Sequence, residues 1–282
     1  MEITRVSNRD FNLTHTFDCG QCFRWNENPD GSYSGVAGGR AVRLWEDGGE
    51  IVIENCSEKD FNAFWRGYLD LDRDYGEIKK TVAINDVMKT AISYGEGIRI
   101  LRQEFFETLM SYIISQNNSI PNIKRVVERL CAAYGEPIDF DGEVRYAFPT
   151  AERLASLSEP DFRALGAGFR DRYLVGAARL AAEGALDPVR LSSVPTEEAR
   201  AELMKIKGVG NKVCDCVLLF SLGKFDLFPT DTWIKKVMEE SFAADSVSAA
   251  KSAGEKLFGQ YSGFAQQYLF YWRRETDKVK KQ

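Results

Sequence analysis

The sequence predicts a mostly helical α+β protein, in which an antiparallel twisted β-sheet precedes a longer helical region. Two observations predict this class. Residues 1–55 combine alternating apolar positions with turn sequences, whereas helical periodicity prevails from Gln103 onward. We place the boundary near residue 97, after Gly95 and Gly97, which gives an N-terminal sheet domain at 1–97 and a helical region at 98–282.

The alternation in the first region is typical of strands with one buried face. Val42 and Leu44 alternate with other residues, as do Ile51 and Ile53. Turn-forming residues at 28–31 and 47–49 separate the strands. We therefore expect strands throughout residues 1–55, followed by helices over 61–68 and 78–94 that flank the sheet.

Apolar residues at helical spacing fill the second region, and prolines interrupt them at 137, 149, 188 and 195. The predicted helices span 103–116, 119–134, 151–157, 160–165, 171–183, 196–205, 211–222, 231–240, 247–259 and 262–277.

Composition limits the class of protein. The 282 residues are 44% hydrophobic, enough for a sizeable core, and no segment has the apolar length of a membrane span. The N-terminus MEITRVSNRD has no hydrophobic signal region, which predicts a cytoplasmic protein without membrane contact. The net charge of −5 argues against a nucleic-acid partner unless a local basic face or helix N-termini contact the phosphates.

The cysteines and the histidine predict no metal centre. Cys19 and Cys22 have the spacing of a redox or zinc half-site, but there is no second pair and His15 is the only histidine. No cysteine follows Cys216, so a C-terminal iron–sulfur cluster cannot form. Reduced thiols are expected for all six cysteines, and no redox cofactor is required.

The segment from Leu203 to Asp231 carries most of the functional information. Gly208 and Gly210 separate two predicted helices, so residues 196–222 form a helix-hairpin-helix and residues 223–231 a loop that ends at Asp231. Backbone N–H groups of these glycines at a helix N-terminus suit an anion such as a DNA phosphate. An ordinary corner between helices would also explain the two glycines.

Lys212 and Asp231 are the candidate catalytic pair. Lys212 begins a helix, where the dipole disfavours a cation, and a neutral lysine amine is a nucleophile. Asp231 is a natural N-cap for the next helix, and a capping carboxylate is held rigidly. A surface lysine and a carboxylate that only caps are the simpler alternatives.

These residues, with Pro229, resemble the helix-hairpin-helix/Gly-Pro-Asp superfamily of base-excision DNA glycosylases. A lysine at 212 is similar to the bifunctional members, which also cut the strand. Six further segments resemble the 8-oxoguanine DNA glycosylase family and run in that family's order along almost the whole chain: Gly20–Trp25, Leu101–Gln103, Ser115–Asn118, Val127–Cys131, Gly168–Tyr173 and Gly263–Gln266.

The resemblance implies a fold and an activity. It implies an active site in the cleft between the domains, and removal of 8-oxoguanine from double-stranded DNA by base flipping. Lys212 would attack C1′ and form a Schiff base, followed by β-elimination. Asp231 would stabilise positive charge on the sugar. The protein would act as a monomer.

The resemblance also implies which residues bind the extruded base. Cys216 and Phe270 would cover its two faces, and Gln266 would bind its Watson–Crick edge. The carbonyl of Gly20 would accept the N7 hydrogen that distinguishes 8-oxoguanine from guanine. Core packing for Cys216 and Phe270, and a simple turn for Gly20, are the alternatives.

The DNA contacts implied by the resemblance lie on other segments. Asn117 would fill the gap left by the flipped nucleotide, Phe169 would wedge beside the neighbouring base pair, and Arg170 would bind the orphaned cytosine. An interhelical turn at Asn117 and a solvated Arg170 are the alternatives. The family can also bind a structural monovalent cation through hairpin carbonyls, here those of Met204, Ile206 and Val209.

Two residues depart from the family pattern. Asn122 replaces a second cytosine-binding arginine, which puts the preference for the opposite base in doubt. Trp233 replaces a histidine near the DNA backbone, so its DNA contact must differ. Both departures suggest a prokaryotic branch.

Two other functions remain open at this point. One is an endonuclease-III-like or other lesion glycosylase on the same scaffold, most of which carry an iron–sulfur cluster. The other is a non-catalytic module that binds damaged DNA, which would need neither Lys212 nor Asp231.

Overall fold

The computed structural model describes residues 2–279, except for the side chain of Val279. An N-terminal five-stranded sheet is followed by helices, which confirms the mostly helical α+β class. Met1 and residues 280–282, the end of the predicted helical region, lie outside the described residues. No helix within residues 2–279 is long and apolar enough to cross a membrane.

The sheet is antiparallel throughout, with strand order β1-β5-β4-β3-β2. Leu44 pairs with Ile53 in register, and both side chains are fully buried against helices of the same region. The predicted turns at 28–31 and 47–49 lie between strands. The strands are β1 (Ile3–Ser7), β2 (Trp25–Glu27), β3 (Tyr33–Ala37), β4 (Arg40–Asp47) and β5 (Glu50–Glu54).

The expectation of strands throughout residues 1–55 was wrong for one segment. Helix α1 (Leu13–Asp18) lies between β1 and β2. The side chain of Asn12 accepts a hydrogen bond from the backbone N–H of His15 at 2.8 Å, which caps this helix. Leu13 and Phe17, four residues apart, place their side chains on one buried face.

Two further differences have local causes. The helix predicted over 78–94 is two helices, because the side chain of Asn85 caps a new start by accepting from Met88 N. A hairpin of β6 (Pro137–Phe140) and β7 (Glu143–Tyr146) interrupts the helical region. Its turn, Asp141–Gly142, has positive φ at both residues, as type I′ turns require.

The remaining helices agree with the predicted periodicity within a few residues, except for α11, which was not predicted. Short π and 3₁₀ segments lie at Phe61–Trp65, Gly168–Arg170 and Gly259–Tyr261. The helices are α2 (Glu58–Asp60), α3 (Arg66–Tyr68), α4 (Tyr75–Val82), α5 (Asp86–Tyr94), α6 (Phe105–Ile114), α7 (Ile120–Tyr134), α8 (Ala151–Ala155), α9 (Glu159–Ala164), α10 (Asp171–Ala182), α11 (Pro188–Ser193), α12 (Thr196–Leu203), α13 (Asn211–Leu222), α14 (Thr232–Phe242), α15 (Val247–Phe258) and α16 (Ser262–Val279).

Helix α13 lies in the middle of the helical core, packed on α6 and α12. Nine of its residues are buried, and they include one carboxylate, Asp215. Asp215 pairs with Arg200 of α12 and, at 2.9 Å, with Lys251 of α15. Because an unpaired buried charge is strongly destabilising, these pairs fix α13 between its neighbours.

The last helix, α16, returns to the N-terminal region and packs along α5. It also contacts residues 18–22, which we call the Gly20 loop. Gln267 donates to the Cys19 carbonyl at 2.8 Å, and Arg274 donates to the Asp18 carbonyl. The Gly20 loop of the N-terminal region therefore lies against the last helix.

Candidate active site

The hairpin between α12 and α13 depends on one glycine. Gly208 has φ +91°, and a Cβ atom there would lie 2.4 Å from Cγ of Tyr173. Gly210 has φ −91° and is the N-cap of α13. Gln116 donates from its amide to the Gly208 carbonyl at 3.0 Å, so the hairpin is also attached to the end of α6.

Lys212 lies in the first turn of α13, as predicted. Its amine sits above the ring of Tyr112, 4.9 Å from the ring centroid. The Tyr112 ring in turn stacks on Phe220, with 5.7 Å between centroids. The amine therefore projects from α13 over an aromatic support supplied by α6 and by the same helix.

Asp231 caps α14 through one carboxylate oxygen, which accepts from Trp233 N and Ile234 N at 3.0 Å each. Burial raises the pKa of Asp231 above its ordinary value, although these two hydrogen bonds and the charge of Lys212 act in the opposite direction. The carboxylate is thus rigidly placed in a poorly solvated position.

One cavity joins the predicted catalytic and base-binding residues. It measures about 40 Å³, room for only a few water molecules. All six predicted residues line it, together with four that sequence reasoning missed. The ten residues are Gly20, Tyr112, Lys212, Cys216, Phe220, Pro229, Asp231, Gln266, Gln267 and Phe270.

The Gly20 loop forms one wall of this cavity. Gly20 has φ +85°, and a Cβ atom there would lie 2.8 Å from Nη1 of Arg274 and 3.2 Å from Cε1 of Phe270. The hydroxyl of Tyr112 is 3.2 Å from the Gln21 carbonyl and 3.4 Å from the Gly20 carbonyl. Only glycine fits this position without moving its neighbours.

The other base-binding candidates face the same space. Burial raises the pKa of the Cys216 thiol to about 11, and Lys212 partly opposes that shift. Gln266 is buried, and its Oε1 atom has no hydrogen-bond partner among the described residues. Phe270, one turn later on α16, is partly buried. Cys216 and Phe270 pack against the core and also line the cavity.

Asn117, Phe169 and Arg170 lie together on a separate surface. Phe169 is 52% exposed and Asn117 is exposed with φ +47°. Arg170 is buried, contrary to the solvated alternative, and lies over the Phe169 ring at 4.5 Å. Its guanidinium donates to the carbonyls of Gln116, Ala167 and Asn117, so its hydrogen-bonding capacity is largely used within the protein.

The remaining predicted positions are not tested by the geometry. Trp233 is partly buried in the first turn of α14. The Ile206 carbonyl accepts a hydrogen bond from Val209 N at 3.0 Å within the hairpin. A cation bound there would therefore share this carbonyl oxygen with the Val209 N–H. Within residues 2–279, no group of three or more His, Cys, Asp or Glu side chains is arranged to hold a metal ion.

Two family descriptions match successive parts of the chain. Residues 3–109 match a family described as 8-oxoguanine DNA glycosylase, N-terminal domain. Residues 110–260 match the HhH-GPD superfamily of base excision DNA repair proteins. The N-glycosylase/DNA lyase OGG1 of Arabidopsis thaliana is 30% identical over 285 residues, covering 94% of this chain and 78% of that protein.

The chain belongs to the 8-oxoguanine DNA glycosylases of the HhH-GPD superfamily.

Two solved structures of similar proteins cover nearly the whole of this glycosylase. MBOgg1, in complex with a low-affinity DNA ligand, has a TM-score of 0.94 and 45% identity, with 98% of this chain and 96% of that chain covered. The Clostridium acetobutylicum 8-oxoguanine glycosylase/lyase, in complex with double-stranded DNA containing cytosine opposite 8-oxoG, has a TM-score of 0.93 and 41% identity, with 98% and 99% covered.

The residues that sequence reasoning missed in this glycosylase gave little signal. Tyr112 and Phe220 belong to apolar runs that are typical of core helices. Pro229 was noted only as part of a motif. Gln267 adjoins Gln266, and this pair of amides in the largely apolar first half of α16 was the one available indication.

We predict that Gly208→Ala destabilises this glycosylase, whereas Gly210→Ala changes stability much less. The added methyl at 208 would clash with Tyr173 in a backbone conformation that alanine disfavours, costing about 1–3 kcal/mol or more. At 210 a Cβ atom meets nothing within 4 Å. Urea unfolding of both variants measures the difference, and equal losses would contradict this account of the hairpin.

Proposed function

We propose that this chain removes 8-oxoguanine from double-stranded DNA by base flipping and then cleaves the strand at the resulting abasic site. The main support is one observation. The candidate nucleophile, the candidate carboxylate and four candidate base-binding residues, which come from distant parts of the sequence, line a single cavity. Residues that only stabilised the core would not need to converge there.

Lys212 acts as the nucleophile. A stacked base blocks access to C1′, so the nucleotide first rotates out of the duplex at a cost of a few kcal/mol. The neutral amine forms an N–C1′ bond as the C1′–N9 bond breaks, and the N9 electron pair leaves with the base, which takes the proton that the amine loses. The C1′–O4′ bond then breaks and O4′ takes a proton, which leaves a protonated Schiff base on Lys212. In the β-elimination a proton is lost from C2′, and the 3′ phosphate leaves with the electron pair of the C3′–O3′ bond.

Asp231 stabilises the positive charge that develops on the sugar during this step. A carboxylate held by two backbone N–H groups in a poorly solvated site interacts strongly with such a charge. The same position lets it orient the amine of Lys212. Capping and catalysis are therefore compatible roles for one side chain.

Recognition of the base depends on hydrogen bonds that guanine cannot match. The Gly20 carbonyl accepts N7–H of 8-oxoguanine, whereas guanine would place two acceptors against each other. The amide oxygen of Gln266, which has no hydrogen-bond partner within residues 2–279, supports a role for this residue at the Watson–Crick edge. Because the cavity of about 40 Å³ is too small for a purine stacked between Cys216 and Phe270, its walls must move apart when the base enters.

DNA contacts come from two surfaces. Asn117 and the exposed ring of Phe169 enter the duplex at the flipped nucleotide, and Arg170 contacts the orphaned cytosine after exchanging some of its carbonyl partners. The backbone at Gly208 and Gly210 contacts the DNA phosphates, and so does Trp233 at the start of α14. These contacts need few positive charges, which accommodates the net charge of −5.

The proposal includes further expectations about the domains, the oligomeric state, the location and the cofactors. The domain boundary lies near residue 97, and the enzyme is a monomer in the prokaryotic cytoplasm, associated with the nucleoid. No redox cofactor or catalytic metal takes part in the reaction. A monovalent cation at the hairpin carbonyls of Met204, Ile206 and Val209 would have a structural role only.

We predict that Lys212→Gln abolishes covalent trapping on 8-oxoguanine DNA by borohydride, because glutamine cannot form an imine. Binding to the same duplex should change little, since glutamine is polar and only one atom shorter than lysine. Trapping is measured by gel shift under denaturing conditions, and binding by fluorescence anisotropy.

Lys207→Gln is the matched control for this experiment, because Lys207 is an exposed lysine of the same hairpin. It should trap as efficiently as the unaltered enzyme. If Lys212→Gln still cleaves at full rate, Lys212 is not the nucleophile. An unaltered enzyme that binds lesion DNA but never traps would favour the non-catalytic alternative.

We predict that Gln266→Ala and Phe270→Ala impair base excision more than strand cleavage at a preformed abasic site. Both side chains contact the base in the proposal, and an abasic site has none, so excision should fall by about tenfold or more while lyase activity stays within a few fold. Single-turnover rates on lesion DNA and on abasic-site DNA measure the ratio of the two activities. Equal losses on both would count against the base pocket.

We predict that discrimination among bases opposite the lesion is weak and that Asn122→Arg strengthens the preference for cytosine. The side-chain amide of Asn122 donates to Asn118 Oδ1 at 2.8 Å and accepts from Arg125 at 3.3 Å. An arginine at this position would add a charged donor, which would favour the matching opposite base by about 1–3 kcal/mol. Excision rates on four duplexes, one for each opposite base, test this. A strict cytosine preference in the unaltered enzyme would refute it.

A further inference from the structure

We infer that Arg274 is a positioning residue for lesion recognition, which holds the Gly20 loop and the Phe270 ring at a fixed separation. The inference rests on the proposed function and extends it to a residue that does not line the cavity. Arg274 lies on α16, one turn beyond Phe270.

The guanidinium of Arg274 is buried against the Gly20 loop. The residue is 6% exposed, and one Nη atom donates to the Asp18 carbonyl. Its Nε atom donates to Glu275 at 2.7 Å, and Glu275 also accepts from Lys278. Burying a charged side chain is costly, so a cation in this position indicates a specific use.

The second Nη atom of Arg274 occupies the space beside Gly20. It is buried without a hydrogen-bond partner among the described residues, and it lies 2.8 Å from where a Cβ atom of Gly20 would be. The loop is therefore attached to α16 by the bond at Asp18, and the guanidinium fills the space that a side chain at Gly20 would need. In the inference, these two features set the distance of the loop from the helix.

The same guanidinium also supports the aromatic ring of Phe270. Its central carbon lies 5.3 Å from the Phe270 ring centroid, in a cation–π arrangement. Phe270 itself approaches the position of a Gly20 Cβ atom to 3.2 Å. One side chain thus contacts both the segment that carries the proposed N7–H acceptor and the ring proposed to stack on the base.

Discrimination against guanine requires such a fixed arrangement. The opposed acceptors, the Gly20 carbonyl and guanine N7, penalise guanine only if the loop cannot move back and relieve the contact. Without Arg274 the loop would lose its bond at Asp18, and the space beside Gly20 that the guanidinium fills would be left open. Gln267 at the Cys19 carbonyl would remain as the attachment to α16.

The test compares single-turnover excision of 8-oxoguanine opposite cytosine with cleavage of a preformed abasic site. We expect Arg274→Met to lower excision by about tenfold or more, since small misplacements of recognition groups have effects of this size, while abasic cleavage stays within about twofold. Arg274→Lys retains a cation and one donor, so its excision rate should fall between those of the methionine variant and the unaltered enzyme.

Binding measures the discrimination directly. With Lys212→Gln in each background, the ratio of affinities for duplexes containing 8-oxoguanine and guanine should fall in Arg274→Met and recover partly in Arg274→Lys. A variant with altered stability but an intact recognition site would keep this ratio. If Arg274→Met does not fold, Arg274→Lys must still show a smaller loss of excision without a matching loss of abasic-site cleavage.

Arg273→Met is the matched control. Arg273 is a neighbouring arginine of the same helix that is 9% exposed, but it pairs with Glu240 and Asp277, away from the Gly20 loop. It should leave the excision-to-cleavage ratio unchanged. Unaltered excision in Arg274→Met, or parallel losses of both activities, would overturn the inference. Failure of the unaltered enzyme to excise 8-oxoguanine would instead overturn the proposed function on which it rests.

Discussion

The buried side-chain amide of Gln21 connects the sheet region to the start of the helical region, and the candidate active site depends on that connection. Its nitrogen donates to the Arg99 carbonyl at 2.7 Å and the Thr16 carbonyl at 2.8 Å, and its oxygen accepts from Leu101 N at 2.9 Å. Because buried backbone groups left without partners are costly, this amide attaches the Gly20 loop to residues 99–101. Together with the contacts of Arg274, it holds the cavity wall that faces Lys212.

Beside this loop lie buried polar groups that lack hydrogen-bond partners or are poorly solvated. Among the residues that the structure describes, Oε1 of Gln266 and one Nη atom of Arg274 have no hydrogen-bond partner, and burial raises the pKa of Asp231. Each arrangement costs stability in the free protein. Such costs are expected where a binding partner supplies the missing interactions, and the packed core around α13 offsets them.

Much of the fold followed from local sequence signals. The strand alternation at Val42–Leu44 and Ile51–Ile53 predicted the central strands, and most helices from residue 103 onward agree with their periodicity. The failures were short elements: α1 is too short to show periodicity, and the β6–β7 hairpin carries an Asp141–Gly142 turn signal that was not weighed. At Asn85, a cap overrode a continuous helical pattern.

The sequence by itself determined which residues are candidates for catalysis, because Gly208, Gly210, Lys212 and Asp231 lie within one short segment whose glycine turn and N-cap have local signals. Tertiary structure alone decided the cavity. Gly20, Tyr112 and Gln266 are far apart along the chain, and no local sequence pattern predicts that α6, α13 and α16 converge on the Gly20 loop. The burial of Arg170 and Arg274 was likewise invisible to sequence, since arginine is usually exposed and only three-dimensional packing supplies the carbonyl partners that permit burial.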